Sequence, residues 1–391
     1  MRVLLINDYG GRFAGAEIVT LALRAGLRAR GHEARLLASR ARLLPGENLA
    51  DDRCLGTTSR LQPLLEAYNP SAAWTLRRVL AAFDPDVVHV TMFLWQLSPS
   101  ILPLLRDRPA VYHAMTYKAV CPIGTKTLRD GRGCRVPPGR VCLSEGCLTP
   151  QSWLARSAQQ ALWRRWHESF DRIVPVSASV SARLREGGFQ VGPTIGLGIS
   201  ESPARPPLSG PPTVGFAGRL SAEKGADVLL TAMPAVFARV SNARLIVAGD
   251  GPESGALRRL AKRLGIAGRT RFLGHVERAA LEEALAPAWV QVIPSRWDEP
   301  FGLVAIEAMM RGTAVVASAA GGLVDSVVDG VTGRLVPPGD PAALADAIVQ
   351  VLSSREEAES LGAAGRRRAL SDFLESSMVD AFTRIYRELL A

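Results

Sequence analysis

Short runs of Val, Ile and Leu alternate with helical patterns along almost all of the 391 residues, and this alternation most constrains the fold. Runs that are apolar at consecutive positions must be buried on both faces, as happens to a parallel strand sandwiched between helices. In the first half the strands fall at 3–7, 34–38, 87–90, 111–113 and 172–177, with helices at 16–30 and 70–82. A second series places strands at 213–217, 244–248, 271–273, 290–294, 314–317 and 333–336. Between them, 191–212 is so broken by Gly and Pro that no helix fits. The expectation is an α/β chain of two doubly wound domains, 1–197 and 198–371, followed by a terminal helix at about 372–391. Ligands of open α/β sheets bind beyond the carboxyl ends of the strands, so a cleft between two such domains is where function is sought.

Length and composition remove several classes. Hydrophobic residues make up 47% and charged residues 21%, ordinary for a globular chain and unlike disorder or collagen. The apolar start, Val3 to Ile6, is too short for a signal-peptide core, and the longest uncharged stretch, 87–105, is interrupted by Pro99 and Pro103. A cytoplasmic protein without a transmembrane helix is expected. Net charge is +10, and residues 1–190 carry all the excess, with 26 Lys and Arg against 15 Asp and Glu. Either this half meets an anionic acceptor or membrane, or it is a solvated basic surface. Nucleic acid is not expected, because interleaved aromatics and a reader motif are missing.

Three segments carry chemistry. After the strand at 213–217 comes Gly218-Arg219-Leu220-Ser221-Ala222-Glu223-Lys224-Gly225, leading into a helix. A guanidinium and an ammonium on a Gly-rich turn suit a diphosphate, although in isolation two solvated loop cations fit as well. The next strand ends in Gly249-Asp250-Gly251-Pro252, a tight turn that would let backbone approach a ligand. The third segment, Ile293 to Met310, reads strand, loop, helix, with Glu299 at the loop-to-helix junction and Glu307 two turns on. A carboxylate in that apolar run needs partners, and a ribose diol would supply two hydroxyls to Glu307. Glu299 lies where sugar hydroxyls could sit. Backbone N–H groups near Phe301, Gly302 and Leu303 face whatever anion occupies the helix N-terminus.

With these residues the chain resembles the family 4 glycosyltransferases, retaining nucleotide-sugar enzymes of GT-B fold. The resemblance rests on Glu299-x7-Glu307, the Gly218-Arg219-Leu220…Lys224-Gly225 loop, the Gly249-Asp250-Gly251-Pro252 turn, and Gly321-Gly322-Leu323 with Asp329 to Gly333. In the first half, Gly15-Ala16-Glu17 is similar to the family's Gly-Gly-x-Glu loop, with Ala14 replacing the first Gly, and Gly31-His32-Glu33 matches its Gly-His-Glu signature. The resemblance implies two Rossmann-like domains facing each other, an acceptor-side first domain on which the terminal helix packs back, and a donor-binding second domain. It implies that Arg219 and Lys224 bind the donor diphosphate, Glu307 the ribose and Glu299 the sugar, with Gly15, Gly249 and Phe272 also at the donor. His113 would face the sugar as a fourth catalytic residue beside Glu299, Arg219 and Lys224. No cofactor would be required beyond the nucleoside diphosphate sugar, and a hydroxyl of a glycan, lipid-linked glycan or small aglycone would be the acceptor.

Other readings stand beside these. A non-catalytic nucleotide-sugar or glycan-binding clamshell is the alternative to a transferase. His113 reads equally as a hydrogen-bonded core histidine. Cys121, Cys134, Cys142 and Cys147 crowd into 27 residues and allow a structural zinc, or reduced thiols, without the C-x2-C knuckles that would decide it. Asp84-Pro85-Asp86 reads as a turn before a buried strand. The segment 151–170, with Trp153, Trp163 and Trp166 among arginines, fits an anionic membrane surface or ordinary packing.

Overall fold

The computed structural model describes residues 1–12, 14–42, 46–128 and 133–391. The chain forms two compact units. Of the described residues, one holds those up to 128, Cys134–Ile199 and Glu375–Ala391, and the other holds Gly133 and Ser200–Leu374.

The first unit is built on β1 (Arg2–Tyr9), β2 (Glu33–Ser39), β3 (Asp52–Cys54), β4 (Val87–Val90), β5 (Ala110–Ala114) and β6 (Arg172–Pro175). All pair in parallel, in the order β3-β2-β1-β4-β5-β6. Val3 to Ile6, Val87, Val88 and Val90 are fully buried, as consecutive apolar runs require. The helix Pro70–Phe83 shows how local sequence sets its bounds. Asn69 caps it by accepting from the Ala72 N–H at 3.1 Å, Pro70 opens it, and Asp84 closes it in the left-handed region at φ 44°. Asp84 then pairs with Arg108 at 2.9 Å and Asp86 accepts from the Arg2 N–H at 2.6 Å, so the Asp-Pro-Asp segment is a bonded turn.

The second unit repeats the pattern with β7 (Thr213–Ala217), β8 (Arg244–Ala248), β9 (Thr270–Gly274), β10 (Val290–Ile293), β11 (Ala314–Ser318) and β12 (Gly333–Val336). Its order, β12-β11-β10-β7-β8-β9, is the first unit's order again. Each sheet reverses its direction of growth between its first and fourth strands, β1/β4 and β7/β10. Connections leaving those neighbours diverge to opposite faces and open a crevice at the strands' carboxyl ends.

The sequence-based helix at 372–391 begins at Glu375, because the preceding helix Arg355–Asp372 ends at Phe373. The last helix, Glu375–Leu390, belongs to the first unit. Its Phe382 packs edge-on to the rings of His89 and His113 at 4.6 and 4.7 Å, its Tyr386 hydroxyl meets His89 Nδ1 at 2.7 Å, and its Asp380 pairs with Arg30 at 2.8 Å. Among the described residues no helix is long and apolar enough to cross a membrane. On helix Pro150–Trp166, Trp163 is core: it is fully buried, stacks on Phe189 at 5.2 Å and donates to the Ala119 carbonyl, while Trp153 and Trp166 are half-buried. Phe382→Ala is expected to cost about 3–5 kcal/mol of stability, read as a lowered urea midpoint, while the conservative Phe382→Leu should lose far less.

Candidate active site

Two of the sequence-predicted residues of the second unit meet at the β7/β10 reversal. Lys224 follows β7 and Glu299 follows β10, and their side chains form an ion pair at 2.7 Å. The Ser295 hydroxyl donates to the same Glu299 oxygen at 2.7 Å, and the Lys224 ammonium lies 5.0 Å from the centre of the Trp297 ring. Glu299 is 5% exposed. Burial pushes its carboxyl up, but Lys224 and the Ser295 hydrogen bond outweigh burial and leave it below the usual carboxylate range.

Glycines bring these loops into register. A Cβ on Gly225, at φ 67°, would lie 1.9 Å from the Pro294 carbonyl oxygen, so only glycine lets the segment carrying Lys224 lie against the end of β10. Gly321, at φ 59°, passes equally close to the Glu299 backbone, and the Gly322 N–H donates to the Glu299 carbonyl at 2.6 Å. The Gly-Gly step after β11 is thus the floor beneath Glu299. Gly249 lies flush against Gly218, whose N–H donates to Ala248 at 3.1 Å, tying the turns after β7 and β8 together.

The remaining sequence-predicted residues stand in different settings. Arg219 is exposed and makes no ion pair among the described residues. Gly302, at φ 88°, begins the helix Leu303–Arg311 with no side-chain cap, leaving first-turn N–H groups open to an anion. The Phe301 side chain is buried against Phe373, so only its backbone is available there. Phe272 lies half-buried on β9 beneath the Arg258 guanidinium. Glu307 is half-buried, raised by burial above the ordinary carboxylate range, and lies 3.6 Å from Arg278. Ser295 and Arg278 escaped the sequence reading: a serine beside proline carries no signal, and Arg278 is 29 positions from its partner.

In the first unit, Gly15 opens the helix Gly15–Ala29 after β1, and Ala14 is extended at φ −145°, a conformation that does not need glycine. Glu17, in that helix's first turn, is 3% exposed; its Oε2 has no partner among the described residues, and burial raises it to about 7. Asp8, at the end of β1, accepts from the N–H groups of Trp95, Gln96 and Leu97, and burial raises it to about 6. His113 is fully buried on β5; burial lowers it to about 4, and its Nε2 meets the Ile195 carbonyl at 3.0 Å. Cys121 is buried, and Cys134, Cys142 and Cys147 are half-buried. The described residues contain no group of three ligands placed to hold a metal ion. Residues 129–132, between Cys121 and Cys134 in sequence, lie outside the described residues.

Comparison with known proteins decides the family. Sequence models of "Glycosyltransferase Family 4" and "Glycosyl transferases group 1" match residues 13–194 and 200–368. A phosphatidyl-myo-inositol mannosyltransferase of Mycobacterium leprae is 30% identical over 94% of this chain and 92% of its own. The chain belongs to glycosyltransferase family 4. A glycogen synthase of Mycobacterium tuberculosis is 32% identical over 78% of the chain and 69% of its own length. Among solved structures, sucrose-phosphate synthase from Thermosynechococcus elongatus matches all of this chain and 99% of its own with a TM-score of 0.73 at 23% identity. Anabaena Alr3699/HepE, solved with UDP-glucose, matches 99% and 100% at 0.70 and 20% identity. The fold is GT-B, with two Rossmann-like domains, and this family 4 member is a glycosyltransferase rather than a non-catalytic clamshell.

The ion pair has a signature in pH. In the wild type the Glu299 carboxyl is depressed, so its contribution to stability is present above its unfolded value and fades as pH falls through the folded one. Lys224→Met leaves the buried carboxylate without its cation, so burial alone then raises it. That variant should lose about 1–3 kcal/mol at pH 7, less at pH 5, and recover in Lys224→Met/Glu299→Gln; thermal melting at the two pH values reads the inversion.

Proposed function

We propose that this glycosyltransferase takes its sugar from a nucleoside diphosphate sugar, transfers it with retention to a hydroxyl acceptor, and uses the β7/β10 crevice for the donor. The observation that carries the reading is the Lys224–Glu299 pair at the β7/β10 reversal, next to the uncapped N-terminus of helix Leu303–Arg311. A buried carboxylate, a cation and open N–H groups at that place match the needs of a sugar joined to a diphosphate. The UDP and UDP-glucose bound to the Anabaena protein are in keeping with a nucleotide donor.

In this reading Arg219 grips the diphosphate through its planar fork and Lys224 adds a point charge. The N–H groups about Gly302 and Leu303, with the backbone at Phe301 and Gly249, complete the cradle. Glu299 accepts from sugar hydroxyls, Glu307 from the ribose diol, and Phe272 borders the base. The bond from anomeric carbon to phosphate oxygen breaks with its electron pair on phosphate. The acceptor oxygen bonds to that carbon on the same face and passes its proton to the departing phosphate. Arg219 and Lys224 stabilise the charge that develops there. His113, fully buried and bonded to Ile195, is assigned to packing.

Thermal melting against a panel of nucleoside diphosphates and their sugars tests the donor site. One base series should stabilise the protein by about 2.7 kcal/mol at 100 times its dissociation constant, and Arg219→Ala should abolish that shift and lower turnover by about 10²–10³-fold. A folded protein unmoved by every series, or an Arg219→Ala enzyme with wild-type turnover, would sink the assignment.

A further inference from the structure

The short helix Gln62–Ala67 of the first unit is turned inside out. Its Glu66 carboxylate is fully buried and pairs with Lys118 Nζ at 3.2 Å and Arg156 Nε at 2.9 Å. The Gln159 amide adds a bond to the Glu66 carbonyl at 2.6 Å. These bonds make the inward face the polar one. Leu61, Leu64 and Tyr68, at i, i+3 and i+7, are left outward, 63%, 62% and 57% exposed.

The next helix adds an exposed aromatic. Trp74 of Pro70–Phe83 is 58% exposed, with the Arg78 guanidinium 4.7 Å over its ring. Leu55 joins them, because its N–H bonds Ser71 and its carbonyl accepts from Asn69 at that helix's start. Twelve large hydrophobic side chains are exposed among the described residues, and five of them fall between 55 and 74. Five within 20 positions is denser than the ordinary scatter of surface leucines.

Charge selects what covers it. Between residues 55 and 83 the single acidic residue is Glu66, which is buried and doubly paired, whereas Arg60, Arg77 and Arg78 are exposed. Leu, Tyr and Trp side chains flanked by arginines, with no exposed carboxylate in the segment, have the chemistry of a surface that sinks into the headgroup layer of an anionic bilayer. We propose that the face running from Leu55 to Arg78 docks this chain on an anionic lipid surface. The place differs from the tryptophan-bearing helix Pro150–Trp166, whose Trp163 is core. It does not depend on the donor assignment.

Co-sedimentation with vesicles of equal parts phosphatidylcholine and phosphatidylglycerol tests this, with pure phosphatidylcholine as reference. The wild type should pellet with the anionic vesicles and much less with the neutral ones, and added salt should weaken the binding. Leu61→Ser/Leu64→Ser/Trp74→Ser, whose side chains are exposed and leave no cavity, should bind at least tenfold more weakly with an unchanged melting temperature. Arg164→Ser/Arg165→Ser, on helix Pro150–Trp166, should bind within twofold of wild type. The proposal is overturned if the wild type ignores anionic vesicles, if the triple variant binds like wild type, or if the arginine variant alone loses binding. Concentration-dependent self-association in analytical ultracentrifugation, lost in the triple variant without any change in vesicle binding, would assign the patch to a protein interface instead.

Discussion

Everything chemical in this molecule is displaced to the strand ends because its sheets are parallel and covered on both faces. A strand such as Val87–Val90 or Val290–Ile293 is buried throughout, so its sides have no room for a functional group that needs solvent or ligand. Inside such strands a polar side chain is taken up by another element, His89 by Tyr386 and Gln291 by Arg311, and groups free to meet a ligand come where a strand stops and the chain turns. At the reversal of strand order the turns diverge, and there the charged residues of each unit are found: Lys224 and Glu299 in the second, Asp8 and Glu17 in the first. The two units share that geometry and use it with opposite electrostatics. The second unit neutralises its carboxylate with an ammonium, while the first holds two carboxyls whose burial raises both.

Sequence pattern revealed most of the fold because the strands are long enough for a run of apolar residues to mean something. Thr213–Ala217, Arg244–Ala248 and Gly333–Val336 fall where the pattern put them. The strand Asp52–Cys54 did not show itself: it is three residues long, two of them are charged, and it exists only because β2 offers it an edge. The first unit's main stretch ends at Ile199, inside a Gly- and Pro-rich segment that marks a change of direction without marking its last contact.

The site was legible to the degree that its residues are local. Glu299 and Glu307 share one loop and helix, and the turns bearing Arg219 and Lys224 follow a strand. What pattern could not reveal is contact across the sheet. Gly225 beneath Pro294 and Gly321 beneath Glu299 are close approaches between segments 69 and 22 positions apart, and a glycine does not announce which backbone it must admit. His113 meets the same limit. It stands at a strand's end, where functional residues gather, yet the ring of Phe382 arrives from 269 positions downstream and closes over it.

That late arrival bears on how the molecule is made. The core around His89 and His113 is completed by Phe382 and Tyr386, so the unit begun first is the one finished last. On the ribosome, all of Ser200–Leu374 is synthesised while the earlier sheet still lacks its closing helix. The second unit is in effect an insertion between two pieces of the first, and it can acquire its core as soon as it emerges. The order of folding is then the reverse of the order of synthesis usual for chains of two domains, and the first unit's apolar surface waits uncovered for as long as it takes to add 175 residues.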